Sequence, residues 1–149
     1  MVTAIPSATP AGTVLAFDFG TERIGVAVGE TQLGVAHPLT TLSNRGNAGA
    51  FAAIEALISE WRPALLLVGL PTHADGTPHA MTARARRFAR QLQARFALPI
   101  AFGDERHTTQ AASSALRAAG THARSRKAVR DRVAAQLILQ AYLDRRLAS

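Results

Sequence analysis

The stretch Val14-Leu15-Ala16-Phe17-Asp18-Phe19-Gly20-Thr21 places one carboxylate inside an apolar run that ends at a glycine. A second apolar run, Ile24-Gly25-Val26-Ala27-Val28, follows after two charged residues. Such runs, rich in β-branched and aromatic residues, are typical of buried strands. Because an ionised carboxylate is costly to bury alone, Asp18 is predicted to be paired, hydrogen-bonded or bound to a metal ion. The alternative is a structural aspartate that accepts backbone N–H bonds and shapes the turn at Gly20.

The length and composition predict one folded domain. A chain of 149 residues can bury about two thirds of its unfolded surface without cross-links. The absence of cysteine excludes disulfides and thiolate metal sites, and it is compatible with a reducing cytoplasm. No apolar run reaches the roughly 18 residues of a membrane span, and residues 1–12 resemble a flexible tail without the basic start of a signal peptide. We therefore expect a soluble, cytoplasmic protein with a single domain at 13–149 and no membrane partner.

The charge balance favours a nucleic-acid partner. The chain has 17 basic and 10 acidic residues, for a net charge of +7, and Lys127 is its one lysine. Arginine binds phosphate through a planar fork, and an excess of positive charge attracts polyanions. A genome rich in G and C would also favour arginine over lysine, but it would not explain the excess of basic residues.

The hydrophobic pattern predicts three strands before any helix, followed by alternating helices and strands. The first three strands should form an antiparallel meander, and the unbroken apolar run at 64–71 should be a central parallel strand beside the first. The predicted elements are strands at 13–19, 23–30 and 34–42, a helix at 50–61, a strand at 64–71, a helix at 79–97, a strand at 98–102, a helix from Thr108 or Thr109, a basic loop at 119–127 and a last helix at 129–147.

Three acidic positions are attached to predicted buried structure. Asp18 lies in the first strand, Asp104-Glu105 follows the fifth strand, and Asp131 shares the apolar face of the last helix. Carboxylates that converge repel one another unless a divalent cation neutralises them. Because oxygen ligands suit hard cations, the sequence predicts a Mg²⁺ or Mn²⁺ site. Such a site can activate water for hydrolysis of a nucleic-acid backbone.

Five segments of the chain, in this order, match one known family. They are Phe17-Asp18-Phe19-Gly20-Thr21-Glu22-Arg23-Ile24-Gly25-Val26-Ala27, Val68-Gly69-Leu70-Pro71, Asp75-Gly76-Thr77, Asp104-Glu105-Arg106 and Asp131-Arg132-Val133-Ala134-Ala135. The chain resembles the YqgF family from about Val14 to Leu147. That family is described both as Holliday junction resolvase-like and as nucleases of pre-16S ribosomal RNA. The resemblance implies an α/β, RNase H-like fold with a central mixed five-stranded sheet flanked by helices.

The resemblance also implies a site and an activity. Asp18, Glu105 and Asp131 would be the catalytic, metal-binding acids, and the reaction would be hydrolysis of phosphodiester bonds in structured precursor rRNA or, alternatively, in branched DNA. Adjacent side chains on a strand point to opposite faces, so at most one of Asp104 and Glu105 would reach the same metal ion. Glu105 is favoured because its position matches the family's motif. Arg106 would hold a phosphate or a carboxylate, with a salt bridge to Asp104 as the structural alternative.

Several basic residues are candidates for contact with phosphates, although each could equally belong to a solvated face. The loop over 69–77 would lie beside the substrate or be a plain turn. His107 stands where the family usually has a hydrophobic residue, which leaves an acid–base or phosphate contact open. The candidate nucleic-acid-binding residues are Arg23, Arg84, Arg87, Arg106, Arg124, Arg126 and Lys127.

Two other functional classes fit parts of the sequence. Asp18-Phe19-Gly20-Thr21 also resembles the first phosphate loop of actin-like and sugar-kinase ATPases, but those proteins need a second similar domain. A non-catalytic nucleic-acid-binding module would use the carboxylates for a structural ion alone. A junction resolvase should be a symmetric dimer, whereas an RNA-processing nuclease can act as a monomer, and we expect a monomer or weak homodimer.

Overall fold

A computed structural model describes residues 11–45, 48–71, 80–104 and 123–148, with positions 48, 104, 123–126, 147 and 148 described by their backbone alone. The predicted flexible tail falls on residues 1–12, of which 1–10 lie outside the described ranges. The predicted helix from Thr108 or Thr109 also lies outside them. The described elements are β1 (Thr13–Phe19), β2 (Arg23–Glu30), β3 (Val35–Ser43), α1 (Ala48–Trp61), β4 (Leu65–Leu70), α2 (Ala80–Phe96), β5 (Ile100–Asp104) and α3 (Ala123–Ala148).

The five strands form one mixed sheet in the order β3-β2-β1-β4-β5. β1, β2 and β3 are an antiparallel meander, and β4 pairs in parallel with both β1 and β5. This arrangement confirms the predicted five-stranded sheet and the position of β4 beside β1. Because β1, β4 and β5 are parallel, their carboxyl ends meet at one edge of the sheet, where Leu70 pairs with Asp104.

The predicted bounds of the fifth strand were wrong by two residues. The strand was predicted at 98–102 from its apolar run, whereas β5 pairs with β4 from Ile100 to Asp104. Pro99 lacks an N–H group, and its carbonyl oxygen accepts a bond from the Leu66 N–H at 3.0 Å just before the ladder begins. The polar end of the strand was missed because apolar composition indicates burial and does not report backbone pairing.

The sheet separates two apolar layers. On one face, α1 and α2 pack on alternate residues of the strands, including Leu15 and Phe17 of β1. On the other face, α3 packs on the intervening residues, including Val14 and Ala16 of β1. The alternation of side chains along a strand produces this division. By the same alternation, Asp18 belongs to the face that α3 covers.

α3 begins six residues earlier than predicted. The basic segment 123–127 was predicted to be part of a loop, but it is helical, and the last helix runs from Ala123 rather than from 129. Arginine, lysine and alanine are good helix formers, and neither glycine nor proline interrupts this segment. The basic segment is therefore the start of this helix and not a loop before it.

Side chains of α3 also cover one edge of the sheet. The Gln140 side chain accepts a bond from the Ala36 N–H at 2.9 Å and donates one to the Gly34 carbonyl at 2.8 Å. The Gln136 side chain donates to the Ala36 carbonyl at 3.1 Å. Two glutamines of the helix thus satisfy backbone groups of the edge strand β3.

Candidate functional site

Asp18 lies near the carboxyl end of β1, where it pairs in register with Gly25 of β2. Its side chain is half-buried, and its position in the alternation assigns it to the α3 face of the sheet. A carboxylate at the carboxyl end of a central parallel strand is well placed for a ligand, because ligands of open α/β sheets bind outside these strand ends. Its location agrees with the sequence prediction.

Asp131 comes to the same place from the far end of the chain because α3 crosses the sheet at Gly25. A Cβ atom built on Gly25 would lie only 1.9 Å from the Asp131 carbonyl oxygen, so only glycine permits this approach. The Asp131 side chain is 15% exposed and shares its helix face with buried Ala134, Ala135 and Ile138. Since Gly25 is the register partner of Asp18, the two aspartates lie at the same level of the same face.

Arg23 contributes a charge of opposite sign next to Asp131. Its Nε atom donates to Asp131 Oδ2 at 2.6 Å, and its side chain is 33% exposed. A charge-assisted bond of this length fixes the carboxylate and neutralises one of the converging negative charges. Arg23 is a candidate for binding nucleic acid, and in the structure it is paired with a candidate catalytic acid. The spacing of two residues between Arg23 and Gly25 was the sequence signal that both belong to one face.

The third predicted acid and its neighbours fall outside what the structure describes. The backbone of β5 is described as far as Asp104, whereas Glu105, Arg106 and His107 lie beyond it. The loop over 69–77 is described only as far as Pro71. Within 11–45, 48–71, 80–104 and 123–148, no three His, Asp or Glu side chains form a cluster able to hold a metal ion. The described part of the site is therefore the pair Asp18 and Asp131 with Arg23.

The predicted phosphate contacts divide into two groups. Arg84 and Arg87 are exposed on α2 and line a cleft of about 350 Å³ on the face of the sheet opposite α3. Lys127 is exposed on α3. Arg124 and Arg126 lie at the start of the same helix, where only the backbone is described. The basic residues therefore occur on both sides of the strand ends that carry Asp18.

Asn44 belongs to the same region and was not predicted. Its Nδ2 donates to the Gly20 carbonyl at 2.7 Å, and its backbone N–H donates to the Glu22 carbonyl at 2.8 Å. These bonds fix the β1–β2 turn that follows Asp18. Asparagine in turns commonly bonds to nearby backbone, and this preference was the available sequence signal.

A mixed sheet of this order, with an aspartate on its first strand and a second on the helix that crosses it, defines the class of RNase H-like proteins. The structure of T. thermophilus RuvC in complex with Holliday junction substrate has the same fold, with a TM-score of 0.51 and 15% identity over 91% of this chain and 96% of that one. The predicted fold class is confirmed. No described helix is long and apolar enough to cross a membrane.

The chain belongs to the RuvX family, described as Holliday junction resolvase, whose model matches residues 12–145. Two relatives, from Nitrosospira multiformis and Dechloromonas aromatica, are each 56% identical to the chain, over 93% and 89% of its length and 92% and 91% of theirs. A third, from Neisseria gonorrhoeae, is 50% identical over 91% of the chain and 89% of its own length. All three are named "Putative pre-16S rRNA nuclease". These findings confirm the resemblance stated from the five motifs.

Proposed function

We propose that this protein is a metal-dependent nuclease that hydrolyses phosphodiester bonds of precursor 16S rRNA in the cytoplasm. The observation that carries the proposal is the approach of α3 to Gly25, which puts Asp131 on the same face and at the same level as Asp18. Family membership supports phosphodiester hydrolysis, and the names of the relatives support the ribosomal precursor as substrate.

The donor chemistry of the site fits Mg²⁺ or Mn²⁺. Asp18 and Asp131 offer only oxygen atoms, which these hard cations prefer, and Arg23 engages the Oδ2 atom of Asp131. We propose Asp18, Asp131 and Glu105 as the residues that would hold the ion. Glu105 is proposed from its motif and from strand alternation, because positions 101 and 103 of β5 lie on the α3 face. A bound divalent ion supplies an activated water and charge stabilisation of the leaving oxygen.

The remaining residues would position these groups. Arg23 holds the Asp131 carboxylate and limits the repulsion that Asp131 exerts on Asp18. Gly25 sets the distance between α3 and the sheet, and Asn44 fixes the turn after Asp18. The exposed Arg84, Arg87 and Lys127 supply positive charge on either side of the strand ends, where phosphates of a bound strand would lie.

The test is cleavage of a fragment that contains the 5′ end of precursor 16S RNA by the purified protein with Mg²⁺ or Mn²⁺. Asp18→Asn and Asp131→Asn should abolish cleavage while the protein stays folded, because asparagine keeps the side-chain volume and removes the charge. Asp144→Asn is the matched control, since Asp144 is an exposed acid of the same helix. Equal cleavage by Asp18→Asn and Asp144→Asn would contradict the proposed site.

A four-way DNA junction is the second candidate substrate, favoured by the description of the family model. It is assayed beside the RNA, with the oligomeric state measured in the same buffer. Cleavage of the junction alone by a stable dimer would favour a resolvase over the monomer or weak homodimer that we propose. Binding of both substrates without cleavage of either would favour a non-catalytic nucleic-acid-binding module.

A further inference from the structure

A cleft opens at the carboxyl end of β1 on the face of the sheet opposite Asp18. It has a volume of about 350 Å³ and is lined by residues of four segments: Phe19 and Thr21 at the β1–β2 turn, Asn44 after β3, Phe51 of α1, and Arg84, Arg87, Phe88 and Gln91 of α2. This volume is within the range of about 300–1,000 Å³ that is usual for small-ligand sites. The cleft is large enough for one nucleotide.

One side of the cleft is aromatic. The rings of Phe19 and Phe88 have centroids 4.9 Å apart and are tilted by 33°, and Phe51 lies 6.0 Å beyond Phe88. Phe88 is 3% exposed and Phe51 is 6% exposed, whereas Phe19 is only half-buried. Phe19 is therefore the ring that a ligand can reach, and the buried rings behind it hold it in place. A rigid, accessible ring of this kind is a stacking platform for a nucleic-acid base.

The opposite side of the cleft carries two positive charges. Arg84 and Arg87 are three residues apart on α2, so their side chains leave the same face of the helix. Neither forms an ion pair with any residue that the structure describes. Other arginines are engaged: Arg23 bonds to Asp131, Arg95 lies 4.1 Å above the Phe51 ring, and Arg86 lies 5.5 Å from the Phe102 ring. The two arginines of the cleft are therefore available for a phosphate.

The cleft is also next to the proposed catalytic centre. Phe19 directly follows Asp18, and consecutive Cα atoms lie about 3.8 Å apart. Strand alternation sends the two side chains to opposite faces of the sheet, so a nucleic-acid strand that crosses the end of β1 would reach both. Asn44 and Thr21 line the cleft at the turn that follows Asp18, and the Asn44 side chain bonds to the Gly20 carbonyl there.

We propose that this cleft binds one unpaired nucleotide of an RNA substrate beside the cleavage site, with its base on Phe19 and a phosphate between Arg84 and Arg87. The inference rests on the proposed nuclease function, whose substrate class it narrows. A paired base has its faces covered by its neighbours and cannot stack on Phe19. The protein therefore prefers RNA with an unpaired nucleotide over a continuous duplex.

The experiment compares two fluorescently labelled RNA hairpins that differ only by a single unpaired adenosine in the stem. Affinity is measured by anisotropy in EDTA, so that no RNA is cut, and cleavage of both hairpins is measured separately with Mn²⁺. The native protein should bind the hairpin with the unpaired adenosine about 5- to 160-fold more tightly, which corresponds to the roughly 1–3 kcal/mol expected for one stacked base. Phe19→Leu should remove this preference and leave the affinity for the continuous duplex unchanged.

Arg87→Gln provides a second variant that does not depend on the packing of Phe19, because Arg87 is exposed. It should weaken binding of the hairpin with the unpaired adenosine by more than threefold relative to Arg90→Gln, with both proteins equally stable. Arg90 is an exposed arginine of the same helix that lies outside this cleft, so the two variants have the same net charge.

Equal affinity of the native protein for the two hairpins would overturn the inference, as would an undiminished preference in Phe19→Leu. Equal affinity of the Arg87→Gln and Arg90→Gln proteins for the hairpin with the unpaired adenosine would also overturn it. If both hairpins are cut but bound alike, the nuclease function stands and the nucleotide cleft does not. If the preference is present and depends on Phe19 and Arg87 but nothing is cut, the cleft stands and the proposed catalytic function fails.

Discussion

Replacement of Gly25 by alanine should separate α3 from the sheet and disable the site. The added Cβ would lie 1.9 Å from the Asp131 carbonyl oxygen, 2.3 Å from its carbonyl carbon and 2.9 Å from the Arg132 nitrogen. Ordinary van der Waals contact begins at 3.4 Å. Because all three atoms belong to the helix backbone, no side chain can rotate away, and α3 must retreat by about 1.5 Å.

The loss of stability in Gly25→Ala follows from the apolar residues that α3 buries against the sheet. Its residues Ala135, Ile138, Leu139 and Leu143 are fully buried on the sheet, and a gap of even 0.5–1 Å forfeits about a quarter to a half of each contact. Overpacking usually costs about 1–3 kcal/mol, and we expect the upper end, about 3 kcal/mol. For a domain of this size, that loss lowers the Tm by about 6–12 °C. Cleavage should fall about 100-fold, since Asp131 moves with the helix.

Two other glycines complete the series. A Cβ on Gly103 would lie 2.7 Å from Ile138 Cγ2, the end of a side chain, so alanine there should cost about 1 kcal/mol. A Cβ on Gly49, in the first turn of α1, meets nothing within 4 Å, and alanine there should stabilise the protein by up to about 1 kcal/mol. Urea denaturation and calorimetry measure the order of stability of the three alanine variants. A Gly25→Ala protein that is as stable as Gly103→Ala, or that retains native cleavage, would refute the reasoning.

Three further predictions concern the charges and the edge of the sheet. Arg23→Gln should raise the affinity for Mn²⁺ about fivefold in a calorimetric titration, because loss of an ion pair worth about 1 kcal/mol frees Asp131. Arg45→Gln, which removes an exposed pair at 3.5 Å, should have less effect, and a fall in the affinity of Arg23→Gln for Mn²⁺ would show that Arg23 contributes more by positioning Asp131 than it takes away by competing with the ion. Gln140→Ala should lower the free energy of unfolding in urea by about 1–2 kcal/mol, because it leaves backbone groups of Gly34 and Ala36 unbonded. Gln93→Ala, at an exposed position of α2, should lower it less, and equal stability of the two proteins would contradict the bonding. Arg87→Gln should reduce the slope of log affinity for RNA against log salt by about 0.7–0.9, the contribution of one phosphate contact, and an unchanged slope would mean that Arg87 touches no phosphate.

The elements that could be predicted from the sequence are those whose hydrophobic pattern is strong and local. β4 is an unbroken apolar run, and β1 and β2 are apolar along most of their length. The side of α3 that carries Asp131 follows from residues three and four apart. The start of α3 could not be predicted because a basic segment has no apolar period to separate helix from loop. The end of β5 was missed because Gly103 and Asp104 do not continue the apolar run, although they pair with β4.

The details of the candidate site depend on contacts between distant parts of the chain. Arg23 and Asp131 are 108 positions apart, and their bond exists only because Gly25 admits α3. The cleft beside Phe19 is assembled from four segments, so no local motif could indicate it. Residue types and their motifs predicted which side chains are candidates for this site. The tertiary structure was needed to find which charged side chains pair with one another, as Arg23 and Asp131 do, and which are available to bind a ligand, as Arg84 and Arg87 are.

The bonds from Gln136 and Gln140 to β3 have a consequence for how this protein avoids aggregation. An edge strand with free backbone groups can accept a strand from another molecule, and such additions propagate into fibrils. Here the helix occupies the groups of Gly34 and Ala36, and Pro38 offers no N–H group a little further along the same edge. A foreign strand could join there only after α3 had lifted away. Since α3 also packs on buried residues of β1, β2 and β4, its displacement would expose part of the apolar core, and this free-energy cost opposes self-association at this edge.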